Sequence, residues 1–167
     1  QPQEPWLEIA LQQVLQGERP ADQALRSFFA AHPQMGQRDR GLVVDTAFDV
    51  LRNRRLYNHL AQGGAGSLAH RLALISQRRR DPGFRPSVRA DLAHADPARA
   101  GSHRADSHRA DAHQATAEQG WLDRLAGIDI AALAPELRLS LPDWLYQRLV
   151  DEWGTDDAQS LAAALLQ

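Results

Sequence analysis

Apolar residues in this chain recur at helical spacing, and no segment shows the convincing alternation of a half-buried strand. Leu7, Ala10, Leu11 and Val14 fall at i, i+3, i+4 and i+7, with Gly17 just beyond. At 3.6 residues per turn these positions form one stripe that must be buried, and a following glycine favours termination. Ala21, Ala24, Leu25 and Phe28 repeat the spacing after Pro20, a good helix opener, and Pro33 closes the segment. Val44, Ala47, Phe48 and Leu51 predict a third helix starting near Gln37, and Leu56, Tyr57 and Leu60 a short fourth. After Gly63-Gly64-Ala65-Gly66, Ser67 is placed to cap a fifth helix carrying Leu68, Leu72 and Ile75. The expected fold class is all-α.

The pattern breaks from about Gln77 to Gln119, where Arg, Ala, Asp, His and Pro replace large apolar residues. Ser102-His103-Arg104-Ala105-Asp106 is duplicated at once as Ser107-His108-Arg109-Ala110-Asp111. This stretch reads as a solvated, mobile insert, although its alanines can support some helix. Order is expected to return at Trp121. Pro142 and Asp143 open a helix with Tyr146, Leu149, Val150 and Trp153 on one face, stopped by Gly154. Thr155 is placed to cap a last helix, with Asp156 and Asp157 in its first turn and Ala158, Leu161, Ala162 and Leu165 as its stripe. Three sections follow: a helical bundle over 5–76, a low-complexity insert over 77–120 and a helical linker over 121–167.

Composition narrows the chemistry. The 167 residues suit one domain with a small satellite. Cysteine is absent, which removes disulfides, thiolate zinc sites and cysteine nucleophiles, and fits the reducing cytoplasm expected as its location. The longest apolar run, Leu161 to Leu166, falls far short of the ~20 residues of a membrane span, and no signal sequence opens the chain. A start at Gln1 and a stop inside a helical run lead us to expect a fragment. Lysine is also absent, so every strong positive charge is an arginine, whose planar fork suits phosphate oxygens. Eleven arginines face four aspartates between Gly36 and Arg89, whereas nine acids face three arginines from Glu118 onward. The first half can meet a polyanion; the tail would repel one.

Sites for chemistry are sparse. His103, His108 and His113 lie five apart, whereas paired histidines on one helix face need three or four, and no metal is assigned. Gly64, Gly66 and Ala69 meet a loose dinucleotide-loop spacing, but no strand precedes them, and a flexible interhelical loop is the reading adopted. Ser140, Thr155 and Ser160 lack a matching histidine and acid pattern. The main polar constellation is Arg38-Asp39-Arg40 at one helix start and Arg52-Asn53-Arg54-Arg55 at its end, extended by Arg78, Arg79 and Arg80. Part of this charge can be structural, since Asp49 can pair with Arg52 at i+3 and arginines in a last turn complement the helix dipole. The remainder marks Arg38, Arg40, Arg52, Arg54, Arg55, Arg78, Arg79 and Arg80 as candidate phosphate-binding residues.

Gln37-Arg38-Asp39-Arg40-Gly41-Leu42-Val43-Val44, followed by Phe48-Asp49-Val50-Leu51-Arg52-Asn53-Arg54-Arg55, resembles the N-terminal domain of ribosomal RNA cytosine-C5 methyltransferases of the RsmB/Sun type. Ala21 to Leu25 and Phe28-Phe29 also suit that family. Leu141-Pro142-Asp143-Trp144-Leu145, with Trp153-Gly154 and Ala158, resembles the segment before its catalytic domain. The similarity covers about residues 5 to 76 and 121 to 167; the insert departs from the pattern. The resemblance implies a NusB-like helical bundle with C-terminal linker helices, attached to an S-adenosylmethionine-dependent domain that methylates a cytosine. That domain's glycine-rich cofactor loop and two cysteines do not occur here, so no catalytic residue and no cofactor are assigned to this chain. The expected partners are ribosomal RNA and the missing catalytic domain, with no membrane and no metal. A protein-interaction or scaffold domain without direct RNA binding is the alternative.

Overall fold

Helices α1 (Glu4–Gln16), α2 (Ala21–Ala31), α3 (Gln37–Arg52), α4 (Arg54–Leu60) and α5 (Leu68–Arg80) stand in the computed structural model where the apolar stripes place them. The structure describes residues 4–86 and 103–166, and at residues 4, 5 and 103–111 the helical backbone only. Further along come α6 (His103–Ala126), a 3-10 turn (Ile130–Ala132), α7 (Pro135–Arg138), α8 (Asp143–Trp153) and α9 (Thr155–Leu165). All regular structure among the described residues is helical, and no helix among them is long and apolar enough to cross a membrane.

α5 is the centre of the bundle. It packs against α1, α3, α4 and α6, so Ala69, Leu72, Ala73, Leu74 and Ile75 are buried on several sides. A helix enclosed in this way shows no single apolar stripe, and polar residues enter its core only with partners. His70 and Ser76 are both buried and both hydrogen-bonded. Burying Leu72, Leu74 and Ile75 contributes roughly 1.5–3 kcal/mol each before chain entropy is counted. Leu7, Ala10, Leu11 and Val14 of α1 meet this core as expected, as do Ala24, Leu25 and Phe28 of α2 and Leu56, Tyr57 and Leu60 of α4.

α3 takes a different phase from the one expected. Val43, Thr46, Ala47 and Val50 are its buried set, while Val44 and Leu51 are partly buried and Phe48 stays 38% exposed. Both sets obey i, i+3, i+4, i+7, and they differ by one residue, about 100° of rotation. Thr46 conceals the true stripe in the sequence. Its hydroxyl accepts from Arg80 Nη2 at 2.6 Å, which makes its complete burial tolerable.

The segment expected as an insert divides. Residues 87–102 lie outside the described residues, as do the side chains of the duplicated repeat to Asp111. The remainder continues helically into Trp121 and Leu122, which are buried in the main core. The loop before α5 is shaped by that packing. Gly63 and Gly66 take φ of 81° and 84°, and a Cβ on Gly64 would stand 2.8 Å from both the Trp121 ring and Arg71 Cδ. The glycines therefore serve tight turning and close approach. Ser67 caps α5 as expected, accepting from His70 N at 3.1 Å.

A second, smaller core gathers Leu139, Tyr146 and Ala162, flanked by Leu141, Val150 and Leu166, between α7, α8 and α9. Gly154, at φ 80°, ends α8 and also occupies the cap position expected of Thr155, which becomes the first residue of α9. Ala158 and Ala162 are buried as expected, whereas Leu161 and Leu165 are exposed because only one face of α9 meets α8.

Candidate nucleic-acid interface

Arg38 and Arg52 stand 14 residues apart on α3, so they point within about 40° of each other, ~21 Å apart along the axis. Gly41, Asp45 and Phe48 are the exposed residues between them on that face. The rotation that buries Val43, Thr46, Ala47 and Val50 is what turns this row to solvent. Arg54, at the start of α4, lies just beyond Arg52 and is also exposed. Arg38, Arg52 and Arg54 have no hydrogen bond or ion pair among the described residues.

Arg52 is free because its expected partner turns inward. Asp49 Oδ2 accepts from Tyr57 Oη at 2.8 Å and from Ser76 Oγ at 2.6 Å, while Oδ1 accepts from Asn53 Nδ2 at 3.1 Å. These bonds tie α3, α4 and α5 at one point. Burial, reinforced by the hydrogen bond to Asp49 and that carboxylate's charge, pushes the Tyr57 phenol well above its ordinary value. The Arg79 guanidinium lies 5.6 Å from the Tyr57 ring centroid and has no carboxylate partner among the described residues.

The other four candidate arginines are engaged inside the molecule. Arg40 donates through Nε to Met35 O at 3.0 Å and through Nη2 to Pro33 O at 3.2 Å, and it stands over the Phe29 ring. It fastens the turn from α2 into α3. Arg55 donates to Leu141 O and, at 2.8 Å, to Asp143 Oδ1, joining the bundle to the start of α8. At the same joint Leu56 N donates to Ser140 Oγ at 3.4 Å, where Ser140 has φ 53°. Arg78 donates to Phe84 O at 2.9 Å and to Asp123 Oδ1 at 2.7 Å, binding α6 to α5. Arg80 reaches from α5 to Thr46 and lies 4.0 Å from Asp45, beside the exposed row of α3.

The eight arginines thus separate into two groups. Arg38, Arg52, Arg54 and Arg79 make no ion pair among the described residues, Arg79 lying against the Tyr57 ring whose hydroxyl donates to Asp49, and Arg40, Arg55, Arg78 and Arg80 hold elements together while their outer edges add positive potential. Phe48 was read as core in the sequence and stands instead on the exposed face among the arginines. Only the phase of α3, which Thr46 conceals, could have revealed it. His113 is exposed, and among the described residues no three His, Asp or Glu side chains are grouped so as to hold a metal ion. Compared with family models, with curated proteins and with solved structures, the chain matches none.

Proposed function

We propose that this chain is an RNA-recognition module that positions folded ribosomal RNA for an attached methyltransferase domain. The observation that carries the reading is the exposed face of α3, with unpaired arginines at both ends and an exposed phenylalanine between them. Guanidinium groups at the two ends of this face suit phosphates several nucleotides apart, and phosphate contacts fix register on a nucleic acid without reading its sequence. Phe48 adds a ring on which an unpaired base can stack, the usual way single-stranded RNA is held. The resemblance of residues 37–55 and 141–158 to the RsmB/Sun methyltransferases supports the choice of ribosomal RNA and of a cytosine-C5 methylation in which this chain takes part. S-adenosylmethionine would bind to the attached domain, and the acidic surface of α8 and α9 would face that domain rather than the RNA.

Fluorescence anisotropy with labelled ribosomal RNA fragments, at low and near-physiological salt, tests the reading. The triple variant Arg38→Gln, Arg52→Gln, Arg54→Gln should weaken binding across all fragments. It should also reduce the slope of log affinity against log salt by about 2 to 3, because each lost phosphate contact removes about 0.7 to 0.9. Equal affinity and equal slope for the variant and the parent would remove the α3 face from consideration.

A second reading rests on Trp144 and Trp153, which are 68% and 59% exposed on α8. Large exposed aromatics of this kind mark protein contacts. Under that reading Trp144→Ser and Trp153→Ser abolish association with the partner protein and leave RNA affinity unchanged.

A further inference from the structure

A cavity of about 320 Å³ opens between α4, α5, α6 and the turn that follows α6. Its floor is Leu60, Ile75 and Leu122, all buried, and its walls are Leu125, Ile128 and Ile130. The size lies at the lower end of the roughly 300–1,000 Å³ common for small-molecule sites. The polar groups at its edge come from Arg78 and Arg79. They belong to the last turn of α5, whose carbonyl end favours cations. The two guanidinium groups differ in state. Arg78 is pinned by Phe84 O and paired with Asp123, whereas Arg79 rests over the Tyr57 ring, whose hydroxyl donates to Asp49, and makes no ion pair of its own among the described residues. Of the two guanidinium groups beside the aliphatic interior, Arg79 is therefore the one without an ion pair among the described residues.

We propose that this cavity binds a small hydrophobic monoanion, an acyl or aryl carboxylate whose head group pairs with Arg79 while its apolar body fills the space against Leu122 and Ile130. A planar carboxylate matches the guanidinium fork. A single negative charge matches one guanidinium without an ion pair, whereas a dianionic phosphate would be set more strongly against Asp123 and the carbonyl end of α5. The walls offer no donors or acceptors along an aromatic edge, so an aliphatic body is the better fit than a nucleobase. This site goes beyond RNA recognition and does not depend on it.

Octanoate and its neutral analogue octanol serve as probes, titrated into the full chain with methyl resonances observed by NMR. Octanoate should shift the Ile128 and Ile130 methyls saturably, and octanol should bind at least about tenfold more weakly, the usual scale for losing one charge-assisted hydrogen bond. Arg79→Gln should bring octanoate down to the affinity of octanol without changing that of octanol. Ile128→Glu alters an exposed residue at the edge and so retains the fold; it should weaken octanoate by a similar factor through charge repulsion. Absence of saturable shifts with octanoate would overturn the proposal. So would equal binding of both probes that neither variant alters, or shifts confined to residues outside the cavity.

Discussion

His70 Nε2 and Glu118 Oε1 lie 2.9 Å apart, and both side chains are only 5% exposed. His70 belongs to α5 and Glu118 to α6, so one buried contact fastens the later helix to the centre of the bundle. On the other side of the ring, Nδ1 is 3.9 Å from Glu8 Oε2 of α1, and Glu8 Oε1 accepts from Ser67 Oγ at 2.6 Å. Gln114 donates to the same Glu118 oxygen at 2.8 Å. Three helices therefore share a polar junction in an otherwise apolar core, an arrangement that fixes α6 in one register because a shifted register would strand a carboxylate.

Loss of His70 should be costly for that reason. His70→Ala removes one partner of a buried carboxylate and leaves a cavity, and it should lower unfolding free energy by about 3 kcal/mol. Glu118→Gln keeps an oxygen acceptor facing the ring and should cost only about 1 kcal/mol. Urea denaturation followed by circular dichroism measures both. A His70→Ala variant within ~0.5 kcal/mol of the parent would contradict the assigned role.

Gly64 supplies a sharper steric test. A methyl group there would meet the Trp121 ring and Arg71 Cδ at 2.8 Å, and Trp121 is enclosed by the core. Gly64→Ala should destabilise by roughly 1–3 kcal/mol through overpacking. Gly17 has open space around its α-carbon but a φ of 71°, so Gly17→Ala should cost about 1 kcal/mol from backbone strain alone. Equal melting temperatures for Gly64→Ala and the parent protein would show that Trp121 does not seat against this loop.

The comparison of sequence with structure turns on where polar residues sit. The stripes of α1, α2 and α4 were legible because their buried positions are all apolar. α3 was misread by one residue because Thr46 belongs to its buried set and Phe48 does not. Nothing in the spacing could say that Arg80, 34 positions away, would satisfy the threonine hydroxyl. The pairing of Asp49 with Arg52 failed likewise, since Tyr57 and Ser76 compete for the carboxylate through contacts that only tertiary packing creates. Helix α6 escaped notice because few of its residues are large and apolar, and its anchoring relies on Trp121, Leu122 and the Glu118 contact. Among the arginines, sequence identified the basic surface but could not separate Arg55 and Arg78, which bridge elements, from Arg38 and Arg54, which do not.

Arg55 offers a way to tell those two groups apart. It bonds to Leu141 O and Asp143 across the joint between the bundle and α8, so its loss should loosen the C-terminal helices first. In Arg55→Gln, amide hydrogen exchange should accelerate in α8 and α9 while α1 and α5 keep their protection. RNA affinity should fall less than in the Arg38, Arg52, Arg54 triple variant. If Arg55→Gln left exchange unchanged and matched the triple variant in RNA binding, Arg55 would belong to the interface rather than the joint.

Tyr57 gives the molecule a specific alkaline limit. Its phenol is buried and donates to Asp49, so the folded state holds the proton well above the value near 10 of an unfolded tyrosine. Below that unfolded value both states are protonated, and the contribution to stability is fully present. Above it the unfolded chain releases the proton while the folded chain retains it, and stability falls as pH rises. Tyr57→Phe keeps the ring beneath Arg79 but loses the bond to Asp49, which retains Ser76 and Asn53. At pH 7 the variant should be less stable by about 1–2 kcal/mol. Between pH 10 and 11.5 the gap should narrow, because the variant lacks this proton and the parent loses its advantage. Denaturant midpoints for both proteins across that range measure the difference, and a gap that stayed constant or widened would show that Tyr57 is not the group responsible.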